Sequence, residues 1–288
     1  MKALKTPLRY PGGKSKAIKT LTPWFPQIIS EYREPFIGGG SIAIQITKLY
    51  PDIPVWINDL YVPLYNFWVQ LRDRGEELSE RVREEKQRTL DVGEKDKVTE
   101  KAKELFNRYK TEIDTYDNFE KAVAFFIMNK CSFSGLTENS TFSQTASRSN
   151  FSLVGADKLA QFSKLIKHWK ITNIDYSEVM KEHGSSDTFI FLDPPYDIKD
   201  FLYGKNREMH KSFDHDKFAE DCQASKIHML VSYNSDQLVR DRFTGLQWNA
   251  AEFDLTYTMR SVGEYMREQK DRKELLLLNY TIDDRIAA

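Results

Sequence analysis

Residues 193–196, sequence DPPY, combine side-chain and backbone groups that suit one kind of chemistry. The two prolines stiffen the chain because each fixes its φ angle and lacks a backbone N–H. The Asp193 carboxylate and the Pro194 carbonyl oxygen then provide two acceptors for the two hydrogens of one exocyclic amino group. Tyr196 offers a flat face for stacking, and an enzyme that acts on an extruded base needs both stacking and edge recognition. The alternative is a proline-rich turn with a capping Asp.

Residues 34–41, sequence EPFIGGGS, place three glycines directly after a predicted strand. Glycines there let the backbone turn tightly and approach a ligand closely. Gly38, Gly40 and Ala43 fit the loose pattern G-x-G-x-x-A, and Asp59 follows about 20 residues later, where an acid accepts hydrogen bonds from ribose hydroxyls. The pattern favours a nucleoside-containing cofactor but does not distinguish NAD from S-adenosylmethionine. A structural glycine turn and a surface Asp are the alternatives.

A third segment, residues 10–14 with sequence YPGGK, ends in a lysine. The pair of glycines before Lys14 is reminiscent of a phosphate-binding loop, but the spacing G-x-x-x-x-G-K is absent and no strand precedes it. From the residues alone, a structural and a functional role for this segment are equally compatible with the pattern.

The elements that must position these segments form an α/β pattern. Residues 41–49 have apolar side chains at helical spacing, and residues 188–192 are a continuous apolar run, as in parallel strands buried on both faces. The predicted strands are residues 32–37, 54–58, 170–175, 188–192, 228–232 and 274–279. Ligands of open α/β sheets bind at the carboxyl ends of strands. We therefore predict a doubly wound α/β sheet with Asp193 at its binding edge.

The middle of the chain differs in character. Residues 66–121 carry interleaved charges of both signs, which predicts solvent-facing helices. Residues 122–129 predict an apolar helix, and residues 130–150 predict a polar loop. We therefore expect residues 66–164 to form an inserted, mostly helical domain within a catalytic domain of residues 1–65 and 165–288.

Composition limits the possible functions. The 288 residues are 40% hydrophobic and 30% charged, without an apolar run near the ~18 residues of a membrane span. The two cysteines predict no disulfide framework, so a cytoplasmic location is expected, and we expect no metal because no ligand cluster is evident. The net charge of −1 runs against a nucleic-acid binder, although clustering of charge matters more than its sum.

The motifs together resemble the Dam-type, D12 class of adenine-N6 DNA methyltransferases. That family carries a W/Y-x-G-G-K element, an E-P-F-x-G-x-G-S element, an acid after the second strand and D-P-P-Y. Here these are residues 10–14, residues 34–41, Asp59 and residues 193–196, in the same order. Residues 129–136, sequence NKCSFSGL, resemble the stretch that opens the family's target-recognition part, although Ser134 stands where many members have Asn.

The resemblance implies a Rossmann-like methyltransferase sheet with residues 66–164 as the target-recognition domain. It implies that Asp193, Pro194 and Tyr196 are catalytic. The S-adenosylmethionine site would comprise Tyr10, Lys14, Pro35, Phe36, Gly38, Gly40, Ser41, Asp59 and Asp193. Double-stranded DNA would enter between the sheet and the insertion, with the target adenine flipped out and with Lys130, Ser134 and Arg148 among its contacts.

The predicted reaction is therefore methylation of adenine N6 within a specific DNA sequence, by a monomer or weak dimer, in a restriction-modification or related setting. The main alternative is a methyltransferase for RNA or for a protein amide, although such enzymes often carry Asn at the position of Asp193. An NAD-dependent oxidoreductase gives no role to residues 193–196, and a non-catalytic DNA-binding regulator would not need intact catalytic residues.

Overall fold

The computed structural model describes residues 4–135, 140–196, 213–245, 248–254 and 273–282. The described helices are α1 (Ile18–Leu21), α2 (Ser41–Leu49), α3 (Val62–Leu90), α4 (Lys95–Glu112), α5 (Asn118–Cys131), α6 (Gln144–Asn150), α7 (Leu153–Leu165), α8 (Tyr176–Lys181), α9 (His215–Ala224) and α10 (Gln237–Arg242). The described strands are β1 (Glu31–Glu34), β2 (Val55–Asn58), β3 (Lys170–Thr172), β4 (Thr188–Leu192), β5 (His228–Asn234), β6 (Asn249–Asp254) and β7 (Lys273–Leu278). Short 3-10 turns occur at Lys14–Lys16, Thr22–Trp24, Ile113–Thr115 and Phe133–Gly135.

The described strands form one mixed sheet in the order β3-β2-β1-β4-β5-β7-β6. Strands β1 to β5 run parallel to one another, whereas β7 runs antiparallel to both β5 and β6. The strand order reverses at β1, which has β2 on one side and β4 on the other, and such a reversal opens a ligand crevice at the carboxyl ends of the strands. The loop after β1 and the segment after β4 therefore share one edge. The predicted doubly wound α/β fold is confirmed.

Alternating side chains of β4 pack on opposite faces of the sheet. Phe189 and Phe191 belong to the core that includes residues of α2, α3, α5 and α7. Ile190 and Leu192 belong to a second core that includes Phe218 of α9. Because burial of each such side chain contributes about 1.5–3 kcal/mol, a strand covered on both faces is firmly fixed. β4 therefore gives Asp193, the next residue, a rigid starting point.

The long helix α3 starts just after β2 and packs along α5 and α7. Its Glu85 is 3% exposed and forms ion pairs with Arg81 (2.7 Å), Arg88 (3.1 Å) and Arg108 (3.2 Å). A buried carboxylate is stable only when it is paired, so these arginines link two turns of α3 to α4. The charge-rich sequence of this region thus includes a buried cluster as well as solvated faces.

The predicted helix at residues 41–49 and the predicted strand at residues 188–192 have the observed bounds. The predicted loop at residues 130–150 was wrong in part, because α6 begins after Ser143, whose hydroxyl accepts from the Ala146 backbone N–H as a helix cap. The last predicted strand is antiparallel rather than parallel, and β6, with the polar sequence NAAEFD, was not predicted. The polar segment at residues 199–211, which follows the DPPY motif closely and whose sequence predicts a flap over the site, lies outside the described residues.

None of the helices in the described ranges has the length and apolar character required to cross a membrane.

Gly75 lies at a close contact between α3 and α7. A β-carbon added at Gly75 would lie 2.2 Å from Ser163 Cβ, so Gly75→Ala must push the helices apart. We expect the free energy of unfolding to fall by about 1–2 kcal/mol, because overpacking outweighs the better helix propensity of alanine. Chemical denaturation measures the change. Gly245→Ala, whose β-carbon would meet nothing within 4 Å, is the control. Equal stability of Gly75→Ala and the wild type would contradict the packing argument.

Candidate active site

The ammonium group of Lys14 is the centre of the site. Its Nζ lies 2.8 Å from Asp193 Oδ1 and 3.0 Å from Glu274 Oε1. It also donates hydrogen bonds to the Tyr196 hydroxyl at 2.7 Å and to the Gly12 carbonyl at 3.2 Å. The Lys14 side chain is 1% exposed. These partners therefore replace the water that a lysine ammonium normally binds.

Three distant parts of the chain supply this cluster. Lys14 begins a 3-10 turn, directly after a tight turn in which the Gly13 backbone N–H donates to the Tyr10 carbonyl at 3.0 Å. Asp193 follows β4, and Glu274 lies within β7, where it pairs with Asn234 at the end of β5. The structure thus brings together the predicted residues Lys14, Asp193 and Tyr196, and it adds Glu274.

Sequence reasoning missed Glu274 and its neighbour Ser232. The Ser232 hydroxyl donates to Glu274 Oε1 at 2.7 Å, and the Tyr196 hydroxyl donates to the same oxygen. Glu274 is 1% exposed and Ser232 is fully buried. The available signal was an acid at the start of the apolar run ELLLL, because an acid is almost never fully buried in a strand unless it has partners.

The two acids beside Lys14 differ in their electrostatics. Burial raises the pKa of Asp193 to about 6, against the lowering effect of the Lys14 ammonium, and the charge of Glu274 raises it further. Burial also acts to raise the pKa of Glu274, but Lys14 and the hydrogen bonds from Tyr196 and Ser232 hold that pKa below its ordinary value. Glu274 is therefore the firmly ionised acid, and Asp193 is the acid that titrates nearer to neutral pH.

The ring of Tyr196 stacks on that of Tyr233, with centroids 5.9 Å apart and an interplanar angle of 26°. Tyr233 is 1% exposed, and its hydroxyl hydrogen-bonds to His215 Nδ1. Tyr196 therefore has a fixed backing, and its hydroxyl is held in the Lys14 cluster. The sequence predicted a stacking residue at this position and did not predict that the hydroxyl also has partners.

The glycine loop between β1 and α2 is enclosed by two aromatic side chains. Gly38 and Gly40 have positive φ angles of 46° and 68°. A β-carbon at Gly38 would lie 2.8 Å from the Tyr10 ring, and one at Gly40 would lie 2.6 Å from the Trp68 ring. The Trp68 indole N–H also donates to the Gly38 carbonyl at 3.2 Å. Glycine is thus required here by both conformation and close packing, and Tyr10 is placed against the loop.

Asp59 braces the same loop from the end of β2. Its carboxylate accepts hydrogen bonds from the backbone N–H groups of Gly38 at 3.1 Å and Tyr61 at 3.0 Å. Burial raises the pKa of Asp59 to about 6, partly offset by these two bonds. Burial also raises the pKa of Glu34 to about 8, against the hydrogen bond from the Tyr32 hydroxyl at 2.7 Å. Glu34 is therefore mainly neutral at pH 7, so the negative charge at this edge belongs mainly to Asp59, Asp193 and Glu274.

The other predicted cofactor residues lie on the same loop. Pro35 is buried, and its carbonyl accepts from the side-chain amide of Asn58 at 3.1 Å. Phe36 is half-buried, and its ring lies 5.4 Å from that of Tyr176. Ser41 is buried as the first residue of α2. Whether each of these residues contacts a cofactor stays a prediction.

The carboxyl end of α5 holds the segment that carries Lys14. The side-chain oxygen of Asn129 accepts from the Arg9 backbone N–H at 2.9 Å, and its amide donates to the Arg9 carbonyl at 2.7 Å and to the Gly135 carbonyl at 3.0 Å. Arg9 in turn donates from its guanidinium to the Ser132 carbonyl at 2.9 Å. Asn129 is completely buried. It is a positioning residue for the segment of Lys14, a role that sequence reasoning missed.

Lys130 and Arg148, both of which are predicted DNA contacts, bond to other parts of the protein. Lys130 donates to the Pro7 carbonyl at 2.5 Å, and burial, with Arg9 and Lys158 nearby, lowers its pKa to about 7. Arg148 bonds to Thr99 and Asp96 of α4. Ser134 lies in the 3-10 turn that follows α5. A DNA contact by any of the three stays a prediction.

Within the part of the chain that the structure describes, no three His, Cys, Asp or Glu side chains come together in a group that suits a metal ion.

Comparison with known proteins gives consistent matches. Residues 10–259 match the family model described as D12 class N6 adenine-specific DNA methyltransferase. The type II methyltransferase M.MjaIII of Methanocaldococcus jannaschii is 24% identical, over 95% of this chain and 98% of that protein. The type II methyltransferase M1.LlaDCHI of Lactococcus lactis subsp. cremoris is 22% identical, over 94% of each chain. The modification methylase StsI of Streptococcus sanguinis is 24% identical, over 97% of this chain and 43% of that protein.

Asn129→Ala removes the side chain that satisfies the backbone of Arg9. We expect the free energy of unfolding to fall by about 2–3 kcal/mol, because the buried N–H and C=O groups of Arg9 lose their partners. Urea denaturation measures this, with Asn107→Ala at an exposed position of α4 as the control. An unchanged midpoint for Asn129→Ala would show that water or another group replaces the side chain.

Proposed function

The chain belongs to the D12 class N6 adenine-specific DNA methyltransferase family, and from that premise we propose how its residues perform methyl transfer to adenine in DNA. The proposed methyl donor is S-adenosylmethionine, bound at the edge formed by the loop after β1 and the ends of β2 and β4. The proposed acceptor is N6 of an adenine that has left the duplex. The protein is a site-specific DNA methyltransferase, which excludes the oxidoreductase and regulator alternatives.

One observation supports this assignment above the others. Asp193 lies at the carboxyl end of the central strand β4, where its side chain is 21% exposed and one oxygen is held by Lys14. An amino group that approaches from the crevice meets a carboxylate whose orientation is already fixed. Acceptors on both N6 hydrogens, from Asp193 and the Pro194 carbonyl, turn the nitrogen lone pair toward the incoming methyl group. Tyr196, backed by Tyr233, supplies the stacking face.

The residues of the proposed cofactor site fit a nucleoside with a positively charged sulfonium. Phe36 is a half-buried ring beside the glycine loop, and Asp59 is a half-buried acid at the end of β2 that suits ribose hydroxyls. The excess of acids at this edge suits a cation. When bound, S-adenosylmethionine supplies an electrophilic methyl carbon, so the protein needs to align the reacting atoms rather than generate a strong nucleophile.

The proton balance is simple. As the N6–methyl bond forms and the sulfur–methyl bond breaks, N6 acquires positive charge and then loses one hydrogen as a proton. Asp193 accepts a hydrogen bond from that hydrogen and stabilises the positive charge, and the proton passes to solvent. A carboxylate with a pKa near 6 accepts hydrogen bonds well without holding the proton at neutral pH.

We place the DNA between the sheet and the helices that follow β2. The turn after α5, which holds Ser134, lies next to the segment of Lys14 through the bonds of Asn129. Lys130 and Arg148 would have to exchange their present partners in order to bind phosphates. DNA recognition is therefore proposed to accompany a local rearrangement of these side chains.

The assay that tests the function uses S-adenosylmethionine with a radiolabelled methyl group and unmethylated DNA, RNA and protein as acceptors. We expect label only in DNA, as N6-methyladenine at one sequence. Asp193→Ala should lower kcat by about 100-fold or more. Asp216→Ala, which removes an acid that is 79% exposed, should not change kcat. Label confined to RNA or protein would refute the proposal.

The acid limb of the pH profile provides a second test. The pKa of Asp193 is raised to about 6, so the carboxylate dominates above that pH and the neutral acid below it. A neutral carboxyl group is a weaker acceptor, and we expect kcat to fall as the pH drops through about 6. Initial rates at saturating DNA and cofactor, over about pH 5 to 8, measure this. A profile that stays flat through pH 5 would contradict the role of Asp193.

A further inference from the structure

Glu274 is an acid with an unusual position. It lies in β7, which is flanked by β5 and β6, it is 1% exposed, and the next four residues of the strand are leucines. A single oxygen of its carboxylate, Oε1, accepts from three groups: Lys14 Nζ at 3.0 Å, the Ser232 hydroxyl at 2.7 Å and the Tyr196 hydroxyl. Two of these three groups also contact each other, since Lys14 Nζ donates to Tyr196.

We propose that Glu274 is a positioning residue for methyl transfer, which shares the Lys14 ammonium with Asp193 and fixes the Tyr196 hydroxyl. Asp193 is thereby kept available as an acceptor for the adenine amino group. The inference rests on the proposed function of Asp193. The inference gives β7 and its Glu274 a role in the reaction, although neither belongs to the segments at residues 10–14, 34–41 and 193–196.

The number of donors and acceptors around Lys14 supports this role. An ammonium group has three N–H donors, and in the described part of the chain Lys14 Nζ faces four acceptors, on Asp193, Glu274, Tyr196 and Gly12. Glu274 and Tyr196 therefore compete with Asp193 for the ammonium. Without Glu274, Lys14 would bind Asp193 more closely and would hold the oxygen that the adenine amino group needs.

The net charge of the cluster supports it as well. Among the described residues of the cluster, two carboxylates and one ammonium leave one negative charge, at the edge where a sulfonium and a developing positive charge on N6 are proposed to lie. If Glu274 were neutral, the cluster would have no net charge and would stabilise that positive charge less. Among the described residues, the charged or titratable groups around Asp193 are Lys14 from the N-terminal segment, Glu34 from β1, Tyr196 from its own loop and Glu274 from β7.

A merely structural role makes a different prediction. If Glu274 served only to neutralise a buried lysine, Glu274→Gln would lower the melting temperature, and the folded variant would keep the wild-type kcat at pH values above the acid limb. If Glu274 positions Asp193, kcat at those pH values must fall and the acid limb must move as well. The negative charge of Glu274 raises the pKa of Asp193, so removing that charge lowers this pKa and moves the acid limb of kcat to lower pH.

The experiment measures methyl transfer by the full chain to unmethylated DNA of mixed sequence. For Glu274→Gln we expect kcat at pH 7.5 to fall by roughly tenfold and the acid limb to move down by about one pH unit, with little change in the KM for S-adenosylmethionine. Glu252→Gln, which removes an acid from the neighbouring strand β6, is the matched control with a wild-type profile. Glu274→Gln with the wild-type kcat and limb would overturn the inference.

A double-mutant cycle shows whether Glu274 acts through Lys14. In the Lys14→Met background, Glu274→Gln should cause less than about a threefold further loss of kcat, because the shared ammonium is already gone. Full additivity of the two losses would overturn the inference.

A second variant serves if Glu274→Gln is unfolded at the assay temperature. Ser232→Ala keeps the charges of Lys14 and Glu274 and removes one hydrogen bond to Glu274 Oε1. It should lower kcat by about threefold, and a wild-type kcat would again refute the role.

The activity of the wild-type protein distinguishes a failure of this inference from a failure of the proposed function. If the wild-type protein methylates DNA and the variants methylate it equally well, the role of Glu274 is overturned and the proposed function is not. Absence of DNA methylation by the wild type overturns both.

Discussion

Burial of one ammonium group is the constraint on which the rest of this structure depends. An unpaired charge in a protein interior costs several kcal/mol, so Lys14 must meet its counter-charges where it lies. It does so with Asp193 and Glu274, at 2.8 and 3.0 Å. Those acids belong to β4 and β7, so the requirement of a single lysine fixes the N-terminal segment to the edge of the sheet. The site and the stability of that edge therefore depend on the same atoms.

The helical region that follows β2 takes part in this arrangement rather than standing apart from it. Asn129 at the end of α5 satisfies the backbone of Arg9, and Arg9 returns a bond to the Ser132 carbonyl. The segment of Lys14 is thus held between the sheet and α5. If DNA binding shifts the turn after α5, the bonds to Arg9 transmit that shift to the N-terminal segment, five positions before Lys14. This is a physical connection between the part proposed to read DNA and the part proposed to modify it.

The sequence was sufficient for several elements that depend on short-range pattern, although it missed α6, which begins at a local cap. The bounds of α2 and β4 follow from apolar spacing, and the placement of Asp193 follows from its position after a buried strand. The same reasoning failed where the cause is long-range. Nothing local to β7 shows that it runs antiparallel or that Glu274 meets Lys14. The glycines at residues 38–40 were predicted to serve a cofactor, and the structure gives them a further reason, since Tyr10 and Trp68 occupy the space of their missing side chains.

The position of β7 in the sheet has a consequence for how the protein becomes active. Lys14 and Asp193 are 179 positions apart in the chain, and Glu274 is made later still. Contacts between such distant residues form slowly, because a long loop must close before any of them is gained. On the ribosome, the lysine is translated early, can meet Asp193 only once β4 has formed, and gains its second counter-charge, Glu274, only when β7 has inserted between β5 and β6. Catalytic competence is therefore expected to arise late in folding, after the parallel part of the sheet is already in place.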